Sequence, residues 1–365
     1  MRADAVALPF GDETVDLVVT SPPYFALRSY TDGGEHYEGQ IGSEPTPREF
    51  LHALWMVMAE CWRVLKPSGS VFVNLGDKRA VSGGGNQSGV LAHRNAALRD
   101  VHEHRNGMGA PRRYNQESGG VRSKSLMGTP WRFALGCTDG LAAPDGRQWI
   151  LREDLIWSKP NGLPESVKDR CRQSHEYWFH FTKRGRYFAD MDVIREPTVT
   201  DASSGLTWEQ RKANGEPTRA GLAGAAAVGN VGGMAGHPLG KLPDSVWRIP
   251  TQPLIVPDEL GVDHFAAFPT EWPRRLIAAF CPDDGVVLDP FGGTGTTAMV
   301  ARALGRFGVS MDLSSDYLRL ANWRVFESDG AERVRARHEG RDFKPSQVVD
   351  PDQLSFSDLM EGSKR

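Results

Sequence analysis

The segment that most constrains this chain is the apolar run Val286-Val287-Leu288 followed by Asp289-Pro290-Phe291-Gly292-Gly293-Thr294-Gly295-Thr296-Thr297-Ala298. A short β-branched run reads as a buried parallel strand. The glycines after it let a ligand approach backbone N–H groups at the start of a helix, expected over residues 296–304. A further strand is expected over 307–312, closing on Asp312. A strand, loop, helix and strand in this order belong to a doubly wound α/β sheet, which binds ligands beyond the carboxyl ends of its strands.

Gly293-x-Gly295-x-x-Ala298 also fits the dinucleotide fingerprint, so a nicotinamide-dependent oxidoreductase is one reading. No lysine follows the glycines, which argues against a Walker-type phosphate loop. A carboxylate such as Asp289 at the loop entrance opposes a pyrophosphate but suits a cofactor carrying an ammonium and a sulfonium. Asp312 stands where an acid can take two ribose hydroxyls. S-adenosylmethionine fits this set best, with Asp289, Pro290, Phe291, Gly292, Gly293, Thr294, Gly295, Thr296, Thr297 and Asp312 as candidate cofactor-binding residues.

A second unit opens the chain. Residues 15–20, VDLVVT, read as a buried parallel strand that stops at Ser21-Pro22-Pro23-Tyr24, where two prolines end any ladder. Thr20 closes that strand and joins the candidate cofactor set. A hydroxyl from Ser21, a rigid carbonyl from Pro22, the fixed Pro23 and the aromatic face of Tyr24 make a pocket for a planar group with an exocyclic amine. Thr46-Pro47-Arg48-Glu49 is a capping-box pattern that starts a helix running to about Lys66. Pro67-Ser68-Gly69 is expected to close it, and residues 70–75 to form the next strand. Residues 149–157 read as an element entering the sheet, and 176–182 with 187–188 as a terminal hairpin. A helix over 272–280 and another over 317–325 complete the reading.

With both motifs in view, the chain resembles the β-class (permuted) DNA amino-methyltransferases, of the N4-cytosine/N6-adenine type. In that family a Ser/Asp/Asn-Pro-Pro-aromatic motif precedes the Phe-x-Gly-x-Gly motif, as Ser21–Tyr24 precedes Phe291–Gly295 here. Residues 62–69, Trp157-x-Lys159-x-Asn161, His175-Glu176-Tyr177 and His264 to Pro269 match as well. The resemblance implies an α/β, Rossmann-like methyltransferase fold, whose seven-stranded, mostly parallel sheet has one antiparallel strand and carries target-recognition insertions. It implies a direct methyl transfer to the exocyclic amine of a base flipped against Tyr24. It also implies that Asp4, on a short strand before Leu8-Pro9-Phe10, meets the adenine amine of the cofactor and that Phe268 lines its methionine end. Ser in the first motif position is similar to cytosine-N4 enzymes, and adenine N6 is the alternative target. A protein that binds DNA without catalysing anything remains a further reading, opposed by the completeness of both motifs.

Net charge is −3, which alone would argue against nucleic acid. The average hides a basic middle: residues 94–195 carry 18 basic and 12 acidic side chains. Arg94, Arg99, Arg105, Arg112, Arg113, Arg122, Lys124 and Arg132 cluster there, and Trp208, Arg211, Lys212 and Arg219 lie in a second variable segment. Arg112, Arg113, Arg122, Lys124, Arg132, Lys159 and Asn161 form the candidate DNA-binding set. The expected organisation is a core from 1–78 and 246–328, a flexible basic insertion over 79–148, the rest of the sheet over 149–197, a target-recognition insertion over 198–245 and a polar tail over 329–365. Cys61, Cys137, Cys171 and Cys281 form no CxxC pair and none follows a proline, so neither a metal site, a disulfide framework nor a cytosine-C5 nucleophile is expected. The expected setting is a bacterial or phage-infected cytoplasm, without a membrane segment or secretory signal. Double-stranded DNA is the expected partner, with a second copy of the chain and a restriction endonuclease as further candidates.

Overall fold

A computed structural model describes residues 1–26, 31–32, 35–36, 39–80, 121–197, 239–254, 256–262 and 267–343. Among these residues, seven strands form one sheet: β1 (Val15–Thr20), β2 (Leu65–Leu75), β3 (Ile150–Ser158), β4 (His175–Thr182), β5 (Val246–Arg248), β6 (Val286–Asp289) and β7 (Phe307–Ser310), in the order β5-β3-β4-β2-β1-β6-β7. Only β4 is reversed, antiparallel to both β2 and β3, while the other pairings are parallel. A separate two-residue ribbon pairs Thr31–Asp32 with Glu35–His36.

Central β1 is buried throughout because helices cover both faces of the sheet. On one face Val18, Val71, Val73, Phe179 and Phe181 pack with α1 (Pro47–Val64) and α2 (Thr129–Thr138). On the other, Leu17, Val19, Phe72, Trp178 and Val287 pack with α3 (Glu271–Phe280) and α4 (Thr296–Ala303). Then α5 (Ser315–Phe326) and α6 (Gly330–His338) follow β7. The capping box of α1 forms as expected: the Glu49 backbone N–H donates to the Thr46 hydroxyl oxygen at 3.2 Å, and the Thr46 N–H to the Glu49 carboxylate at 3.1 Å.

Four expectations change. The hairpin from 176–182 to 187–188 does not form, because β4 lies inside the sheet with both edges taken by β2 and β3. Its antiparallel partner from the neighbouring chain segment is β3, and Phe188 instead donates its N–H to the Ser68 carbonyl at 2.9 Å. The second strand begins at Leu65 rather than Ser70; Val15 pairs with Leu65 and Leu17 with Ser70, so Pro67 sits in a bulge where no N–H is required. The polar tail starts later than 329: α6 buries Val334 and Ala336, and its Arg337 reaches the buried Glu271 of α3 at 3.4 Å. Likewise α2, inside the segment expected to be a flexible insertion, is core: Trp55 of α1 donates its indole N–H to the Phe133 carbonyl at 3.1 Å. No helix among the described residues is long and apolar enough to cross a membrane.

Candidate active site

The carboxyl ends of β1 and β6 lie side by side, since Leu17 pairs with Val287 and Val18 with Leu288. The two motifs therefore open into one cavity of about 450 Å³. The glycine loop is held from beneath. Gly292 donates its N–H to the Met311 carbonyl at 2.6 Å, and Gly295 to the Gly292 carbonyl at 2.7 Å. Gly295 has φ of +71°, and a Cβ there would stand 2.9 Å from the Ala321 Cβ, so only glycine fits both demands. Asp312 accepts the Gly293 N–H at 3.0 Å and the Ser314 N–H at 2.8 Å, one on each carboxylate oxygen.

Asp289 takes a different place from the one expected. Its carboxylate is buried below the loop, accepting the Thr20 hydroxyl at 2.7 Å, the Thr297 hydroxyl at 2.8 Å and the Phe291 N–H at 3.1 Å. Burial pushes its pKa up to about 6, against the pull of those hydrogen bonds. Asp289, Thr20 and Thr297 thus tie β1, β6 and α4 together instead of lining the cavity, and Gly295 likewise shapes the loop without facing it.

On the Ser21–Tyr24 side, the Ser21 hydroxyl donates to Asn74 Oδ1 at 3.1 Å. The Tyr24 hydroxyl stands 2.9 Å from that same oxygen and 3.0 Å from Glu176 Oε2. Asn74, at the end of β2, is fixed by donating its own amide to the Tyr177 carbonyl at 3.0 Å. Glu176 pairs with Lys159, whose ammonium also lies 4.1 Å from the centre of the Trp157 ring. Neither Asn74 nor Glu176 is among the site residues expected from sequence; an Asn interrupting the apolar run Val71-Phe72-Val73 is the one signal that could have found Asn74.

Of the expected set, Asp4, Ser21, Pro22, Pro23, Tyr24, Lys159, Phe268, Pro290, Phe291, Gly292, Gly293, Thr294, Thr296 and Asp312 line this cavity. Asp4 lies in no strand; only Arg2 bridges to Asp312 there. Lys159 faces inward, toward Glu176 and the cavity. Asn161 closes a turn, exchanging hydrogen bonds with Thr251 at 3.2 and 2.8 Å. Arg122, Lys124 and Arg132 stay outside the cavity and exposed; the first two precede α2 in a segment that pairs with the strip leaving β2, where Met127 donates its N–H to the Lys78 carbonyl at 2.9 Å, and Arg132 lies in α2. Arg132 donates to the Met127 carbonyl at 3.1 Å, and Lys124 stands 3.9 Å from Asp169. Arg94, Arg99, Arg105, Arg112, Arg113, Trp208, Arg211, Lys212 and Arg219 fall outside the described residues.

Lys159 is the one basic side chain among the described residues lining the cavity, against Asp4, Asp312 and Glu176. That balance opposes a pyrophosphate and fits a cofactor bearing an ammonium and a sulfonium. The "DNA methylase" family model matches residues 15–323. The chain belongs to that family. The methylase is 35% identical over 318 residues to the type II methyltransferase M.XycI of Xanthomonas campestris pv. cyanopsidis, covering 87% of this chain and 83% of that one. It is 33% identical to M.SmaI of Serratia marcescens, covering 86% and 85%. Its fold matches the solved PvuII DNA methyltransferase (cytosine-N4-specific) with a TM-score of 0.54 at 18% identity, covering 93% and 92%. The methylase is an S-adenosylmethionine-dependent DNA methyltransferase.

Proposed function

We propose that the methylase acts on cytosine N4 of a base flipped out of duplex DNA, and that Ser21 accepts a hydrogen bond from the reacting amine. The observation that carries the role of Ser21 is the direction of its hydrogen bond; the choice of cytosine follows from a serine, not an aspartate, at this position. Asn74 spends its amide on Tyr177, so its oxygen receives the Ser21 proton, and the Ser21 lone pairs are left for the cavity. With the Pro22 carbonyl, they accept the two hydrogens of an exocyclic amine and draw its nitrogen toward tetrahedral geometry. Position 21 carries no charge of its own. The bound donor supplies an electrophilic methyl on sulfur. Tyr24, pinned through its hydroxyl, presents its ring as the stacking face for the flipped base. Lys159 places an ammonium beside the pocket, where the ring-nitrogen and carbonyl acceptors of cytosine need donors. Proximity and alignment of nitrogen, methyl and sulfur carry the catalysis, with no covalent enzyme intermediate.

Arg122, Lys124 and Arg132 lie at the same carboxyl edge and suit phosphate contact. The same reading places the protein in the cytoplasm beside an endonuclease of matching sequence specificity. The test is methylation of a mixed-sequence DNA library, digestion to nucleosides and mass spectrometry. N4-methylcytosine is expected, lost in Ser21→Ala; N6-methyladenine alone overturns the reading.

A further inference from the structure

We infer that Arg324 is a positioning residue for the methyl donor: it sets the hydroxyls of Thr294 and Thr296 as hydrogen-bond donors toward the donor's carboxylate. The inference rests on the reading of the cavity as an S-adenosylmethionine site. Arg324 lies on α5, under the glycine loop, and is only 7% exposed. No carboxylate among the described residues pairs with it. A buried cation without a counter-charge is costly and is retained where its hydrogen bonds serve a purpose.

Those bonds are specific. Nη1 donates to Thr294 Oγ1 and to Thr296 Oγ1, each at 2.6 Å, so its two hydrogens occupy one lone pair on each hydroxyl. The two hydroxyl oxygens lie 3.2 Å apart. One hydroxyl proton can be shared within that pair, and the other must then be donated elsewhere. Both threonines line the cavity. Gly295, the N-cap of α4 between them, has no side chain to occupy the first backbone N–H groups of the helix. An anionic ligand group here meets a hydroxyl donor, helix N–H groups and the field of a guanidinium, in a cavity whose other charges are mainly acidic. The carboxylate is the one anionic group the donor carries.

The test compares binding of S-adenosylmethionine with that of decarboxylated S-adenosylmethionine, which keeps the ammonium and sulfonium. Arg324→Met is expected to weaken the first about tenfold and leave the second within about twofold, the loss typical of one charge-assisted hydrogen bond. Thr296→Val is expected to show the same selectivity, and Arg324→Lys to recover part of the loss. In steady state the donor KM rises while kcat holds. Thermal unfolding of each variant checks that the fold survives, and Thr296→Val carries the test should Arg324→Met not fold. Equal weakening of both compounds, or of neither, assigns Arg324 a structural role and overturns the inference. Wild-type protein that binds neither compound sinks the donor reading itself, and the inference with it.

Discussion

The proposed donor and acceptor halves of the cavity are built in opposite ways. The donor half, β6 through α5, draws its polar partners mostly from its own stretch of chain: Phe291 and Thr297 on Asp289, Gly293 and Ser314 on Asp312, Thr294 and Thr296 on Arg324. The acceptor half is assembled across the sheet. Ser21 and Tyr24 end β1, Asn74 ends β2, Glu176 opens β4 and Lys159 follows β3. A loop that closes on itself holds one ligand shape wherever it is placed. A pocket whose groups come from four strand ends depends on the register of the whole sheet. Under the proposed function, this difference separates what holds a common donor from what selects a target base.

Substitutions should break the halves separately. The largest effect is expected from Gly295→Val, which places a Cβ against Ala321 at a φ of +71°. Donor binding measured by calorimetry should fall at least about 100-fold, while DNA binding in a mobility-shift assay is retained, because the strain stays within the loop. Next, Tyr24→Ala should lower kcat roughly 100-fold through weakened stacking, and Tyr24→Phe about tenfold through removal of its hydroxyl bonds. Donor affinity should hold in both, and Tyr24→Ala with undiminished kcat would rule out the stacking role.

Asp289 joins the halves through Thr20, and its effect is read in pH. Burial raises its pKa from 3.8 to about 6, so the folded protein holds a proton that the unfolded chain has already released. Its favourable contribution is complete below about pH 4 and is lost as pH rises through about 6. Asp289→Asn should therefore flatten this part of the profile of Tm against pH; an unchanged slope between pH 4 and 7 would contradict the assignment. The smallest effect is expected from replacing Arg122, Lys124 and Arg132 together with alanine. DNA affinity should drop several-fold, and the salt slope should fall by up to about 0.9 for each phosphate left without its cation. The base methylated should not change, since none of the three lines the cavity.

The legibility of the sequence follows the same division. The glycine loop, the Ser-Pro-Pro-Tyr turn and the helices at 47–64 and 296–303 are readable because hydrophobic spacing, capping and turn chemistry act over a few residues. The reversed strand is legible only through the family resemblance. The misplaced hairpin shows the limit of local reading: residues 183–186 look like a tight turn, yet whether a strand has a free edge depends on its neighbours in the sheet. Helix α6 reads as tail because its exposed faces are charged and only Val334 and Ala336 are buried. Lys159 reads as a DNA-facing cation, but its ion pair with Glu176 turns it inward.

By itself, then, the sequence determined that this chain carries a glycine loop between a strand and a helix, a rigid hydroxyl-bearing turn after another strand, and a basic middle third. Each depends on neighbours in the chain or on summed charge. Only the tertiary structure decided that the two turns share one cavity, that Asp289 lies beneath it as a tie, and that Asn74 and Glu176 bond the Ser21 and Tyr24 hydroxyls. Those facts depend on strand order and register, which bring residues remote in the chain within hydrogen-bond distance of one another.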